Sequence, residues 1–285
     1  MKSVVVTGVS TGIGHATAKV LLKNGFQVFG NVRKQEDADR LAQEFGGAFI
    51  RMLFDVTDEP AVDAAARHVR ERLNGETLFG LVNNAGIAVA GPLLHVSSDE
   101  IRRQLEVNVV GALMVTQAFT PLLGSDRHLK GRPGRIINIG SISGKIAVPY
   151  FGPYTISKFA LEGFNDTLRQ ELLLYGIDVI LVAPGHITTP LFDKAVSQES
   201  NYLKTDFASS IHQAKVFFQK RWESALPPER VGEVVRRALT EPRPKVRYTV
   251  CANTFMDWVL PRLLPKRTVD AFLSKQIGLK PPGGR

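Results

Sequence analysis

The sequence predicts one α/β domain with a doubly wound parallel β-sheet covered by helices on both faces. Short β-branched runs alternate with amphipathic stretches from the first residue to about position 183. The runs are apolar throughout, as strands buried on both faces must be. With 285 residues, 44% of them hydrophobic and 22% charged, the chain has the length and composition of a globular protein with a large core.

Six strands are predicted, over residues 3–7, 27–31, 48–54, 78–83, 134–139 and 178–183. Between them, apolar residues at helical spacing predict helices over residues 14–24, 38–44, 59–73, 98–122 and 154–175. Such alternation indicates right-handed βαβ units and therefore a parallel sheet.

The pattern changes in the C-terminal third of the chain. Residues 190–228 are polar and aromatic with no strand signal, and they are too many for an ordinary connection. We expect them to form a helical lid inserted into the domain. A helix over 228–240 and a strand near 246–251 follow, and residues 255–285 form a C-terminal extension. No internal repeat or linker divides residues 1–285.

Charge and cysteine content narrow the expected partners. The net charge is +9, but the basic residues are dispersed over helices and the tail without a recognised nucleic-acid-binding module, so no nucleic-acid partner is expected. The single cysteine, Cys251, excludes an intrachain disulfide and a cysteine-rich zinc site. We expect no metal and a reducing, cytoplasmic location.

Two uncharged stretches, 78–98 and 107–125, approach the length of a membrane span. Polar residues such as Asn108 and Gln117 argue against that interpretation. Residues 258–267 alternate apolar and basic side chains, which suits peripheral contact of the extension with a membrane surface. Two prolines interrupt this segment and favour packing against the body or a partner subunit.

A glycine-rich turn directly follows the first predicted strand and reads Thr7-Gly8-Val9-Ser10-Thr11-Gly12-Ile13-Gly14. Glycines allow backbone N–H groups to approach a pyrophosphate, and the next helix offers its positive end to the anion. A strand before and a helix after favour nucleotide binding. The alternative is a tight βα turn without a ligand.

Tyr154 and Lys158 are four residues apart, so on a helix their side chains share one face. A tyrosine has a pKa of about 10, and a nearby ammonium should lower the pKa of Tyr154 enough for acid–base chemistry. The alternative is an ordinary surface pair. Tyr150 has no lysine four residues later, and we expect it to line the substrate pocket.

The glycine spacing TGxxxGxG resembles that of the short-chain dehydrogenase/reductase family, whose other motifs occur here in the expected order. They are Asp55-Val56, Asn83-Asn84-Ala85-Gly86, Asn108, Ser141, the YxxxK motif Tyr154-Thr155-Ile156-Ser157-Lys158, and Pro184-Gly185-His186-Ile187-Thr188-Thr189. The resemblance covers about residues 3–190. It implies a Rossmann fold and hydride transfer between a nicotinamide cofactor and a carbonyl carbon.

The resemblance also implies the role of each residue. The catalytic set is Asn108, Ser141, Tyr154 and Lys158, with Asn108 holding a relay water and Lys158 also binding the nicotinamide ribose. The expected cofactor-binding residues are Gly8, Ser10, Thr11, Gly12, Ile13, Gly14, Arg33, Asp55, Val56, Asn84, Ala85, Gly86, Tyr154, Lys158, Pro184, Gly185, Ile187 and Thr189. Ser141, Ser143, Tyr150 and Tyr154 are the expected substrate contacts, with Ser143 second to Ser141.

The residues after the second strand bear on cofactor choice. An acid there would bind the ribose 2′-hydroxyl, whereas a base accommodates a 2′-phosphate. Arg33 and Lys34 follow the strand and the first acid is Glu36, which favours NADP(H) over NAD(H). The alternative is a solvated basic turn.

Six aromatic residues in the lid suggest an apolar pocket for a steroid-like, retinoid-like or other lipophilic alcohol or ketone; they are Phe192, Tyr202, Phe207, Phe217, Phe218 and Trp222. The alternative is that they form the lid's own core. The resemblance implies a homodimer or homotetramer through helices at about 100–122 and 154–175. A dinucleotide-sensing protein without turnover is the rival function, and the intact catalytic set argues against it.

Overall fold

A seven-stranded parallel sheet organises the computed structural model, which describes residues 1–192 and 201–279. The strands are β1 (Ser3–Val6), β2 (Gln27–Val32), β3 (Phe49–Leu53), β4 (Gly80–Asn83), β5 (Arg135–Ile139), β6 (Asp178–Pro184) and β7 (Arg247–Val250). Their order in the sheet is β3-β2-β1-β4-β5-β6-β7, and every neighbouring pair is parallel. The predicted doubly wound α/β fold is therefore confirmed.

Helices connect the strands and cover both faces of the sheet. They are α1 (Gly12–Lys23), α2 (Gln35–Phe45), α3 (Glu59–Leu73), α4 (Ser98–Leu105), α5 (Gly111–Phe119), α6 (Gly152–Glu171), α7 (Ala208–Trp222), α8 (Pro228–Thr240), α9 (Leu260–Leu263) and α10 (Lys266–Ile277). The helix predicted over 98–122 contains a π-helical turn, Glu106–Val110, between α4 and α5, and it ends in the 3₁₀ turn Thr120–Leu123.

Two apolar cores lie on opposite faces of the sheet. Alternation along β1 places Val4 and Val6 in the core with α1, α2 and α8, and it places Val5 in the core with α3 and α5. The strand order reverses at β1, whose neighbours are β2 and β4. A parallel sheet opens a ligand crevice at the carboxyl ends of its strands at such a point.

The segment predicted as a lid leaves the body and returns to it at one place. Ile187 pairs with Leu226 as an isolated bridge, with backbone hydrogen bonds of 3.0 Å from Thr188 N to Leu226 O and from Leu226 N to His186 O. Helix α7 lies within this segment, whose residues 193–200 are outside the described part. The described part of the C-terminal extension contains the π turn Phe255–Val259, α9 and α10.

The stretch Ser98–Leu123 is long and apolar enough, by length and composition alone, to cross a membrane. That is weak evidence, because the core helix of a soluble protein passes the same test. Buried polar side chains on this stretch bind neighbouring elements. Gln104 Nε2 donates to Ile87 O at 2.7 Å, and Thr116 Oγ1 accepts from Asn83 Nδ2 at 2.9 Å. These contacts pack one side of the stretch against the body of the fold.

A chain of buried amides crosses the centre of the molecule. Asn83 Nδ2 donates to Asn138 Oδ1 at 2.9 Å, and Asn138 Nδ2 donates to Asn165 Oδ1 at 3.0 Å. The three side chains stand on β4, β5 and α6, so Asn138 ties the helix that carries Tyr154 to the middle of the sheet.

Asn138→Ala should therefore lower the free energy of unfolding by about 2–4 kcal/mol, because it removes one hydrogen bond from each of two buried amides. Urea titration should show a lower midpoint with an unchanged slope. Gln276→Ala, which truncates an exposed amide on α10, is the control and should change stability by less than about 0.5 kcal/mol. An Asn138→Ala chain as stable as the control would contradict the role given to this amide chain.

Candidate active site

A cavity of about 420 Å³ opens at the carboxyl ends of β1 and β4. Its walls contain every predicted catalytic residue and every predicted cofactor-binding residue except Gly14. The structure thus brings together side chains that extend from Gly8 to Thr189 in the sequence. The elements that deliver them are the loops after β1, β2, β3, β4, β5 and β6, together with α6 and the π turn.

The glycine-rich loop needs its glycines for close packing. Gly8 has φ +69°, and a Cβ there would lie 2.9 Å from the Cα of Ala85. A Cβ on Gly14 would lie 2.2 Å from the carbonyl oxygen of Gly8. Gly14 therefore does not line the cavity but lets α1 pack against the loop that does.

Two asparagine side chains hold this loop in place. Asn84 Nδ2 donates to the carbonyl oxygens of Thr7 at 2.8 Å and Gly8 at 3.0 Å. Asn31 Oδ1 accepts from Gly8 N at 3.2 Å, and its Nδ2 donates to Phe54 O at 2.7 Å. The sequence analysis missed Asn31, whose one signal was an amide near the carboxyl end of a mostly apolar strand.

The first turn of α1 suits an anion. Its N-cap, Thr11, makes no side-chain cap hydrogen bond, and no acidic residue occupies the first turn. Ser10, Thr11, Gly12 and Ile13 all line the cavity. Free backbone N–H groups and the positive end of a helix favour a phosphate group, so the residues present fit the pyrophosphate of a dinucleotide.

Arg33 and Asp55 face each other across the wall formed by the ends of β2 and β3, with 3.5 Å between Arg33 Nη1 and Asp55 Oδ2. Partial burial opposes ionisation of Asp55, but hydrogen bonds from Thr57 and the charge of Arg33 outweigh it and lower the pKa of this carboxyl. Asp55 is therefore ionised at neutral pH and holds the exposed Arg33 side chain at the cavity.

Tyr154 and Lys158 are both buried, one helical turn apart on α6. Lys158 Nζ lies 5.5 Å from the centroid of the Tyr154 ring and donates to Ile139 O at 2.8 Å. The side chain of Ser141 lies close enough to the Tyr154 hydroxyl to oppose the rise of its pKa. Ser141 precedes the 3₁₀ turn Ile142–Gly144, and its Oγ accepts from Ser143 N at 3.0 Å.

Burial governs the protonation of this pair. It raises the pKa of Tyr154 to about 12, against the opposing effect of Ser141, and it lowers the pKa of Lys158 to about 8. The expectation that the ammonium would lower the pKa of Tyr154 is wrong for this arrangement, because removal from water penalises the phenolate more strongly. At neutral pH Tyr154 therefore keeps its proton and Lys158 keeps its charge.

Asn108 stands in the π turn, where its side chain makes three hydrogen bonds. Oδ1 accepts from Ile87 N at 2.9 Å, and Nδ2 donates to Ile87 O at 3.1 Å and to Ser157 Oγ at 3.0 Å. Single π turns are frequent at functional sites. This one joins the helix of Asn108 to α6 and to the loop after β4 within the cavity wall.

A second cavity, of about 360 Å³, shares four lining residues with the first: Ser141, Tyr154, Gly185 and Phe192. The other lining residues are mostly apolar and come from the loop after β5, from α7 and from the C-terminal extension. Ser143 also lines it. The hydroxyls of Ser141 and Tyr154 thus stand where a polar cavity meets an apolar one.

The lid aromatics divide between the two predicted roles. Phe192, Phe217, Phe218 and Trp222 line the second cavity. Tyr202 and Phe207 instead pack in a separate apolar cluster with Val89, Val96 and Ile211. The sequence analysis treated the roles as alternatives, and the described residues fill both.

Tyr150, predicted to contact substrate, lines neither of these two cavities. Its hydroxyl is 2.5 Å from Ser210 Oγ, and its ring packs edge-on against Phe207. With φ +66°, its backbone is in the left-handed region. Tyr150 therefore anchors the N-terminal part of α7, and the geometry gives no support to a substrate contact.

Glu162, one turn beyond Lys158 on α6, is a further residue that the sequence analysis missed. It is buried and paired with Lys145, at 3.6 Å, and with Arg247 on β7. The guanidinium of Arg247 also stacks on the Trp258 ring, 4.4 Å from its centroid. These contacts tie the loop after Ser141 and the C-terminal extension to the catalytic helix. No sequence spacing signals a pair that lies 85 residues apart.

Lys158→Met should make the cofactor-free chain more stable at pH 7 by about 1–3 kcal/mol, because a side chain of similar length no longer buries a charge. Between pH 8 and 10.5 the unfolded wild-type chain holds more protons than the folded one, so wild-type stability rises with pH there. The difference between the variant and the wild type in the free energy of unfolding, measured by urea titration, should therefore become smaller from pH 7 to pH 9.5. Lys19→Met, at an exposed lysine of α1, should show no such dependence. A Lys158→Met chain less stable than wild type at pH 7 would contradict the assignment.

Comparisons with known proteins agree with this geometry. A family model described as short chain dehydrogenase matches residues 2–200. The chain is 38% identical over 277 residues to an NADPH-dependent 3-dehydrocapnine reductase of Ornithobacterium rhinotracheale, covering 97% of this chain and 98% of that one. It is 34% identical to mouse retinol dehydrogenase 5, and the match covers 94% of this chain and 86% of that one. The crystal structure of a short-chain dehydrogenase from Streptomyces avermitilis matches with a TM-score of 0.76 and 25% identity, over 98% of this chain and 96% of that one.

Proposed function

Because the chain belongs to the short-chain dehydrogenase/reductase family, we propose that it interconverts a lipophilic ketone and its secondary alcohol with NADP(H), using Tyr154 as the general acid–base. That it is a nicotinamide-dependent oxidoreductase acting on CH–OH or C=O groups follows from the family and the named relatives. The finer proposal rests on one observation: Ser141 and Tyr154 stand at the junction of the two cavities.

When bound, the nicotinamide exchanges hydride with the carbonyl carbon. The residues of the chain bind and protonate the carbonyl oxygen. Ser141 donates a hydrogen bond to the carbonyl oxygen, and Tyr154 transfers its phenolic proton to it as the alcohol forms. The Lys158 ammonium stabilises the phenolate left behind, which burial alone would disfavour. In alcohol oxidation the same groups act in reverse. The relay water at Asn108 stays a prediction.

The lipophilic substrate class rests on the walls of the second cavity. Phe151, Phe192, Phe218 and Trp222 present apolar surface next to Tyr154, and few lining side chains are polar. Mouse retinol dehydrogenase 5 carries the name of a lipophilic alcohol. An apolar pocket beside convergent polar groups suits a ligand with an apolar body and one reactive oxygen.

Tyr154→Phe should lower kcat by about 10²–10⁴-fold, because the phenyl ring has no proton to transfer. The Kd of NADPH should change by less than about twofold, since the ring keeps its packing. The matched control is Tyr150→Phe, which removes a hydroxyl bound to Ser210 outside both cavities and should leave kcat within about twofold of wild type. A wild-type chain that binds NADPH but is inert toward a broad panel of ketones and alcohols would favour a dinucleotide sensor instead.

The NADP(H) preference rests on the charges at the end of β2. Asp55 is the one acidic residue among the described residues that line the first cavity, and Thr57 and Arg33 already engage it. The Arg33 side chain is 62% exposed at the cavity wall. A 2′-phosphate would find a cation there, and the relative from Ornithobacterium is described as NADPH-dependent.

Arg33→Ala should raise the Kd of NADPH by about 10-fold or more, through loss of a charge-assisted hydrogen bond, and that of NADH by less than about twofold. Titration calorimetry with both cofactors measures this ratio. Arg51→Ala, at an exposed arginine of β3 paired with Asp39, is the control and should leave both constants unchanged. If the variant loses affinity equally for the two cofactors, Arg33 supports the structure of the loop and does not bind the 2′-phosphate.

We also propose assembly into a homodimer or homotetramer through α4, α5 and α6. Four large apolar side chains are exposed on this part of the chain: Val110, Leu113, Ile156 and Phe159. The first two lie on the stretch from the π turn into α5, and the last two on α6. Exposed apolar side chains grouped on neighbouring helices are typical of a subunit interface.

A further inference from the structure

The C-terminal extension exposes an unusual number of apolar side chains. Between 38% and 74% of each of five large side chains is exposed, and we call them the C-terminal patch: Phe255, Met256, Leu263, Leu264 and Phe272. Scattered apolar side chains are ordinary on a surface, but a contiguous group marks an interaction site.

The patch is contiguous because it forms the opening of the second cavity. Met256, Leu264 and Phe272 line that cavity and are also exposed to the solvent. Leu263 adjoins Leu264, and Phe255 adjoins Met256. The apolar wall that reaches Tyr154 therefore continues outward into the patch.

Basic residues surround the patch. Arg262, Lys266, Arg267 and Lys275 are all exposed. Of the two acids between residues 255 and 279, Asp257 is 3.5 Å from Arg221 and Asp270 is exposed. The patch thus combines apolar side chains with a net positive charge.

Two of these cations occupy an unfavourable place. Lys266 and Arg267 open α10, where the helix dipole is positive, and the described first turn contains no acidic residue. Pro265 provides no side-chain cap for the free N–H groups. An anionic surface would relieve both the repulsion and the missing cap.

We propose that the C-terminal patch binds the surface of an anionic lipid bilayer, and that the second cavity receives its substrate from that bilayer. Apolar side chains would enter the interface while Lys266 and Arg267 meet the phosphate groups. A second copy of the chain fits less well, because two-fold pairing would place basic residues against basic residues. The proposal that the chain binds a bilayer depends only on the C-terminal patch. The proposal that the substrate enters from the bilayer also depends on the proposed lipophilic substrate.

Flotation with phosphatidylcholine vesicles, with and without phosphatidylserine, tests the binding. The wild-type chain should float with the phosphatidylserine-containing vesicles and remain in the bottom fraction with phosphatidylcholine alone. Leu263→Asp and the double variant Lys266→Glu/Arg267→Glu should each lower the partition coefficient by about 10-fold or more. None of these residues lines either cavity.

Matched controls lie at the amino ends of β5 and β6, whereas the cavities open at the carboxyl ends of the strands. Leu174, 70% exposed against 74% for Leu263, precedes β6, and exposed Arg132 precedes β5. Leu174→Asp and Arg132→Glu should float like the wild type. Leu263→Asp should keep wild-type kcat on a short water-soluble ketone, which shows that the variant is folded. Flotation needs no turnover, so its outcome is independent of the proposed reaction.

Three results would overturn the proposal. The first is no flotation with phosphatidylserine, and the second is equal flotation of Leu263→Asp and Leu174→Asp. The third is light scattering in which Leu263→Asp splits a wild-type oligomer, because the patch would then be covered by a second copy. If binding is confirmed but a membrane-dissolved ketone is not reduced faster by the wild type than by Leu263→Asp, the substrate-entry part is wrong.

Discussion

Burial of Tyr154 and Lys158 on one turn of α6 is the constraint on which the rest of the site depends. Removal from water opposes ionisation of both groups, so the phenol keeps its proton and the pKa of the ammonium falls to about 8. A phenol that keeps its proton can protonate a ketone oxygen only if something stabilises the phenolate that remains. Lys158 is the nearby cation, held by Ile139 O, so the burial that opposes ionisation also keeps the charge close and little screened by water.

The parallel sheet explains why residues from distant parts of the sequence meet in one site. Its strands end at the same edge, so the loops after β1, β4, β5 and β6 converge beside α6. Side-chain amides then fix those loops. Asn84 and Asn31 hold the glycine-rich loop, and Asn108 holds the loop after β4. A site built on such bonds is organised before a ligand arrives.

Local sequence patterns predicted much of the fold and of the candidate site. The remaining features depend on contacts between segments that are distant in the sequence. Short apolar, β-branched runs and helical spacing predicted the strands and most helices, and the glycine-rich turn predicted the nucleotide edge of the sheet. No local signal announces the π turn at Asn108, because it depends on hydrogen bonds to Ile87 and Ser157. Nor does spacing reveal that Glu162 pairs with Arg247, or that burial raises the pKa of Tyr154. Such features exist only once distant segments pack together.

The C-terminal extension shows how far such packing reaches. The guanidinium groups of Arg247 and Arg262 both stack on the Trp258 ring, each 4.4 Å from its centroid. Because Arg247 belongs to β7, these contacts fix the segment around Trp258 to the sheet. The wall of the second cavity carries the exposed Met256 and Phe272. Under the proposed function, a substrate whose apolar part exceeds the cavity of about 360 Å³ would extend past these side chains into the patch. Each Å² of that projection costs roughly 25 cal/mol in water and little in a bilayer, so the longer the substrate, the more its binding favours a chain docked on lipid.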